Sequence, residues 1–146
     1  MNNPVISLHE SLLSESFKKL LNRPISLEFS NNLYNAPFVV VSHGIQTDPI
    51  FNYANLCAQQ LWNLNWEGFT QMPSRLSAEP MEREERQIFL EKTARQGFVE
   101  NYSGIRITSD NRRFMIKNAI IWNVIDAKGI YKGQAATFSD WEFLNS

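Results

Sequence analysis

Gly104-Ile-Arg-Ile, Arg112-Arg-Phe-Met-Ile, Ile120-Ile-Trp-Asn-Val and Gly133-Gln-Ala-Ala-Thr-Phe138 follow one another with only two tight polar turns between them. In those turns, Ser109-Asp-Asn-Arg112 and Asp126-Ala-Lys-Gly129, Asn111 and Gly129 can take the positive φ that a hairpin demands. Strands joined in this way form an antiparallel meander. Phe38-Val-Val-Val41 is short and β-branched and predicts a buried strand. Ser42 to Asn55 then leads from strand to a short helix, with Asn55 as its cap. Strands, then helices, then three strands predict an α+β fold: an antiparallel sheet flanked by short helices.

The remaining helices are read from their ends. Val5 to Leu21 spaces Leu8, Leu12, Leu13, Phe17, Leu20 and Leu21 as an amphipathic helix, and Asn22-Arg-Pro24 stops it. Asn65-Trp-Glu-Gly-Phe69 reads as one capped turn, with Glu67 near the positive end of the helix dipole. A longer helix is expected from about Ser77 to Gln96, with Ser77 as cap, Pro80 in the first turn and Gly97 as the left-handed stop. Glu82 with Arg86, and Glu91 with Arg95, stand four apart and predict a solvated, salt-bridged face. The polar stretch Ser30 to Pro37 sets an expected boundary between an N-terminal helix with its linker, 1–37, and a compact domain, 38–146.

Composition bounds the function. The 146 residues, 43% of them hydrophobic, suffice for one domain with its own core. A net charge of -1 supplies no basic field, so no nucleic-acid partner is expected. No run of apolar residues is long enough to span a bilayer, and no secretory leader is legible, so the expected address is cytoplasmic, with no membrane partner. One cysteine, Cys57, makes no internal disulfide, and with His9 and His43 as the other soft ligands no metal site is expected.

Ser42-His-Gly, Asp48-Pro-Ile-Phe-Asn-Tyr-Ala-Asn, Pro73-Ser-Arg-Leu-Ser-Ala-Glu, the Glu85-Arg86 pair, Tyr102-Ser-Gly-Ile-Arg-Ile, Arg112-Arg-Phe, Trp122-Asn and Gly133-Gln-Ala-Ala-Thr-Phe, in that order, resemble the MEKHLA domain over roughly residues 38 to 141. The resemblance implies a PAS-like fold. It also implies a domain found as small standalone bacterial proteins and at the carboxyl end of plant class III homeodomain-leucine-zipper regulators, where it is regarded as sensory or dimerisation-controlling. With neither homeodomain nor zipper, this chain is similar to the standalone kind. Asn111 stands where glycine is expected before Arg112-Arg-Phe, a change that keeps the left-handed turn accessible.

No constellation predicts an enzyme. Ser42 and His43 are neighbours on a strand and point to opposite faces, so they cannot readily share a proton. Cys57, among Leu56, Ala58 and Leu61, reads as a small core residue rather than a photochemical thiol. Gly129 to Gly133 lacks the ending and helix of a phosphate loop. A small-molecule pocket between sheet and helices is the chemistry left open, with the cofactor unknown. Its candidate lining is His43, Tyr53, Arg86, Tyr102, Arg106, Asn118, Trp122 and Gln134. Tyr53, Tyr102 and Trp122 would wall it; Asn118 and Gln134 would bond a ligand; Arg86 or Arg106 would meet an anion. The competing reading makes the aromatics core and pairs the arginines with Glu82, Glu85 or Glu100.

The strand from Phe114 to Ile125 is apolar on both faces. Read without a bulge, Phe114, Ile116, Ile120, Trp122 and Val124 share one side, and Met115, Ala119, Ile121 and Ile125 the other. A one-residue bulge would exchange the faces. The second face needs a cover, either the N-terminal helix or a second copy of the chain. An interface through Leu13, Phe17, Met115, Ile121 and Ile125 follows, making a homodimer or a complex with a partner regulatory protein. Three functions remain: a ligand-binding sensory module, a ligand-free interaction module and, least supported, an enzyme.

Overall fold

A computed structural model describes residues 4–144. Residues 1–3 and 145–146, at the outer ends of the two expected segments, lie outside the described residues. The elements in chain order are α1 (Pro4–Leu21), β1 (Val39–His43), β2 (Phe51–Ala54), α2 (Leu56–Trp62), α3 (Trp66–Thr70), α4 (Pro80–Gln96), β3 (Phe98–Ile107), β4 (Arg113–Ile125), β5 (Tyr131–Phe138) and β6 (Asp140–Phe143). Short 3-10 turns cover Leu33–Asn35 and Ser74–Ser77.

All strand pairs are antiparallel, in the order β2-β1-β5-β4-β3, with β6 continuing beside the first half of β4. The meander β3-β4-β5 carries the expected turns, with Asn111 at φ 65° and Gly129 at φ 81°. β1 joins it against β5 and turns back as β2, a hairpin that leads straight into α2.

Local signals account for the helix ends. Asn55, fully buried, accepts from Ala58 N at the start of α2 and from Val40 N. Its amide donates to the carbonyls of Leu33 and Phe38. One side chain thus caps a helix and pins the linker to β1. Asn65 caps α3 through Gly68 N at 2.7 Å. Gly97, at φ 94°, ends α4. The start of α4 differs from the sequence expectation: Glu79 occupies the cap position without capping the helix through its side chain, which meets Arg113 Nε at 2.7 Å, and Ser77 Oγ donates to Ser74 O inside the preceding 3-10 turn. Pro80 begins the helix two residues later than a Ser77 cap would.

The sheet is covered on both sides. α2, α3 and α4 lie over an inner face that contributes Val39, Val41, Phe114, Ile116, Ala119, Ile121 and Phe138 to one core. α1 lies over the outer face, where Ile6, Leu13, Phe17 and Leu21 meet Val40, Tyr53, Trp122, Val124 and Ala135. Polar links anchor this helix: Trp122 Nε1 donates to Ser16 Oγ (3.1 Å), the Tyr53 hydroxyl to Glu10, and Ser42 Oγ meets His9 Nε2 (3.0 Å). Leu13 and Phe17 are therefore buried within one chain rather than in a contact between chains. Leu8, expected on the apolar stripe, is 73% exposed.

The faces of β4 are exchanged midway. Opposite β3, Tyr102 pairs with Ala119 and Gly104 with Ile116, so β4 carries one extra residue between these pairs. Asn118, at φ 54°, marks the bulge and is exposed. A complementary shift lies between Val99 and Tyr102, where Asn101 stands at φ 57°. A bulge turns the following residues over. Phe114 and Ile116 therefore share the inner face with Ala119 and Ile121, while Ile120, Trp122 and Val124 face α1. Among the candidate residues the unbulged reading is corrected at three: Ile121 is buried in the inner core rather than at an outer interface, Asn118 points to solvent rather than into a pocket, and Trp122 faces α1 rather than the side of Phe114 and Ile116. Met115 and Ile125 are half-buried.

Candidate functional site

A cavity of about 60 Å³ lies between the inner face of the sheet and α4. Its wall is mostly apolar: Val41, Phe51, Trp62, Leu90, Ile116, Ala119, Ile121, Ala136 and Phe138. Into this wall are set His43 from β1, Arg86 from α4, Tyr102 and Arg106 from β3, Gln134 from β5, and Ser77 from the turn before α4. The structure thus gathers five of the sequence candidates, His43, Arg86, Tyr102, Arg106 and Gln134, around one space. Tyr53 and Trp122 lie on the opposite face under α1, because their strand parity is that of Val40 and Val124.

Strand parity places Tyr102, Gly104 and Arg106 on the same side of β3. The absent side chain at Gly104 is what lets the outer two meet: a Cβ there would lie 2.7 Å from Tyr102 Cζ and 3.1 Å from Arg106 Nη1. Arg106 Nη2 donates to the Tyr102 hydroxyl (2.9 Å), Nη1 donates to Ile105 O, and the hydroxyl in turn donates to Glu85 Oε2 (3.3 Å). Glu85 therefore reaches Arg106 only through the phenol. Phe89 packs on the Tyr102 ring with centroids 4.6 Å apart.

Arg86 departs from the expected solvated face. It is 7% exposed, makes no ion pair with Glu82, and donates through Nη2 to Ser74 Oγ at 2.8 Å. Burial, reinforced by the Arg106 guanidinium, lowers its pKa to about 10, which leaves it charged at neutral pH. Neither Arg86 nor Arg106 forms an ion pair with a carboxylate among the described residues; Glu100 is bound to Arg23 instead. A buried charge without a counter-charge is costly, so this pair of guanidiniums is an electrostatic demand that the cavity leaves open.

His43 is held by its Nδ1, which bonds Gly44 O at 3.1 Å, while its Nε2 is buried with no partner. Burial, with the charge of Arg86 acting in the same direction, lowers its pKa to about 4, so the ring is neutral near pH 7. With the proton on Nδ1, Nε2 is a bare acceptor. β5 approaches this residue closely because position 133 is glycine, at φ 137°; a Cβ there would collide with the His43 carbonyl. Gln134, one residue on, donates to Leu90 O (2.9 Å) and to Asn123 Oδ1 (3.2 Å), so it bridges sheet and helix. Trp62 Nε1, from another lining residue, is also buried without a partner.

Several residues of this site carry no warning in the sequence. Ser74 holds Arg86, Asn123 holds Gln134, and Gly104 makes room for the Tyr102–Arg106 bond. The one signal that could have found Gly104 is its parity, midway between two same-face candidates. Cys57 is half-buried and packs at the edge of the inner core, outside the cavity. Among the described residues, no group of three or more His, Cys, Asp or Glu is placed to hold a metal ion, and no helix is long and apolar enough to cross a membrane.

Against known proteins, a family model for the MEKHLA domain matches residues 7–143. No curated protein matches the chain in sequence. Solved structures with the same fold include the PAS domain of a Colwellia psychrerythraea protein, at 12% identity and TM-score 0.65, covering 80% of this chain and 94% of that one. A light-oxygen-voltage domain studied with a flavin analogue is 13% identical with TM-score 0.62, covering 83% and 87%. An RNA-binding light-oxygen-voltage receptor is 13% identical with TM-score 0.58; the likeness covers 81% of this chain and 32% of the receptor. The fold is PAS-like.

Proposed function

The chain belongs to the MEKHLA domain family, and on that footing we propose that it is a sensory or regulatory module. It binds a small molecule in the cavity between sheet and α4 and signals through protein contacts. One observation carries this reading: two buried guanidiniums and an orphaned imidazole nitrogen border an apolar space, and among the described residues no carboxylate is paired to either arginine. A merely structural core would give the imidazole nitrogen a partner and the guanidiniums a counter-charge. Pockets are built from apolar walls with a few converging polar groups, as here.

Two elements give a bound molecule leverage on the surface. Arg86 belongs to α4, so a ligand gripping it also draws that helix toward the sheet. His43 lies next to Ser42, whose hydroxyl bonds His9 of α1, so β1 connects the cavity to the helix on the far face. A cytoplasmic partner protein, or a second copy of the chain, reads the change. A ligand-free interaction module is the second reading, favoured by the exposed Val5 and Leu8 beside a groove that includes Leu12 and Trp66. Native purification followed by absorbance spectroscopy and native mass spectrometry tests the two. A mass excess that disappears on Arg86→Gln supports the cavity. A clean apo dimer supports the interaction module.

A further inference from the structure

Resting on the reading that the cavity holds a ligand, we propose that this ligand is a small hydroxycarboxylate, its carboxylate on Arg86 and Arg106 and its hydroxyl on His43 Nε2.

The charge follows from the arginines. Both line the cavity, both are 7% exposed, and among the described residues neither has a carboxylate within ion-pair distance. Each also has donors beyond those its bonds to Ser74, Ile105 and Tyr102 use, because a guanidinium offers five. A carboxylate fits the planar fork of a guanidinium and carries a single charge. Phosphate carries more charge and no apolar body, whereas the rest of the wall is aliphatic and aromatic.

The hydroxyl follows from His43. Its Nδ1 is committed to Gly44 O and its Nε2 is buried without a partner, so it requires a donor. An ammonium would supply one, but beside two guanidiniums it would be repelled. A hydroxyl supplies one without charge. Trp62, another lining residue, holds a second orphaned buried group, the donor Nε1. The size follows from the cavity: about 60 Å³ is room for roughly four or five waters, hence about six non-hydrogen atoms.

The experiment is titration calorimetry of the full chain with four probes: lactate, propionate, lactamide and inorganic phosphate. Lactate is expected to bind about tenfold or more tightly than each of the others, since propionate lacks the hydroxyl and lactamide the charge. Arg86→Gln is expected to weaken lactate about tenfold or more, and His43→Phe to bring it down to propionate. Should either variant unfold, the four-probe series on the native protein still decides. Lactamide equal to lactate overturns the anion, propionate equal to lactate overturns the hydroxyl, and phosphate tightest overturns the carboxylate. If none of the four binds but the purified protein carries a mass excess, the class is wrong and the cavity reading stands. If none binds and the protein is clean apo, both fall.

Discussion

Tyr102 and Arg106, four residues apart on β3, are joined by a 2.9 Å hydrogen bond that passes over Gly104. The glycine is there for space: the ring and the guanidinium occupy the volume that a side chain would fill.

Gly104→Ala is therefore expected to yield a folded protein, less stable by about 1–3 kcal/mol through overpacking, with the Tyr102 phenol displaced from Arg106. Urea denaturation measures the first effect. A shifted tyrosine absorbance spectrum reports the second. Unchanged stability and an unchanged spectrum would argue against the close approach.

Asn118 holds φ 54° at the bulge of β4 and touches no ligand space. Asn118→Gly is expected to change stability by less than about 0.5 kcal/mol, because glycine adopts this conformation without strain. Asn118→Val is expected to cost about 1–2 kcal/mol. Equal midpoints for the two variants in urea would show that the backbone at 118 is not left-handed.

Ser16→Ala leaves the indole N–H of Trp122 buried without an acceptor. The expected loss is about 1–3 kcal/mol, the cost of an unpaired buried donor. Trp122→Phe in the same background should recover part of it, since the orphan is removed together with its partner. The double variant compared with both single variants in a denaturation cycle checks the coupling.

His43 sets a pH dependence. In the folded protein it takes a proton only near pH 4, whereas in the unfolded chain it does so near 6.5. Between these values the unfolded state binds more protons, so stability rises with pH and falls as pH drops from about 7 toward 4, by up to about 3 kcal/mol. His9, lowered in the same direction by burial, adds to the trend. Unfolding free energies of the native protein and His43→Gln, compared at pH 7 and 4.5, isolate the contribution. A His43→Gln variant with the same slope would contradict it.

The parts of the fold that were legible in the sequence are those fixed by local chemistry. Asn55 and Asn65 announce helix starts because their side chains bond amides only three residues on, and Gly97 announces an end. Asn111 and Gly129 announce turns for the same reason. A bulge in β4 could be raised from the sequence but not placed, because β4 is apolar on both faces and the pattern reads equally well with or without an extra residue. That ambiguity carried Ile121 to the wrong side and Asn118 into the pocket. Arg86 was read as a surface partner of Glu82 from their spacing, yet its direction is set by Ser74, twelve residues away in another element. His43, Tyr102, Arg106 and Gln134 fell around one cavity because each lies on a strand with an unambiguous parity. Trp122 was carried to the wrong face by the same bulge. Tyr53 has a clear parity, but which side of the sheet its strand presents to the cavity is a tertiary fact.

The hydrogen bond between Ser16 and Trp122 spans 106 residues of sequence. At ordinary translation speeds, α1 emerges roughly 5–20 seconds before the strand that receives it. Throughout that interval Leu13 and Phe17 lack Trp122, Val124 and Ala135, and only the β1-β2 hairpin, with Val40 and Tyr53, is there to receive them. The newborn chain therefore presents a partly covered amphipathic segment to the cell until the meander strands arrive.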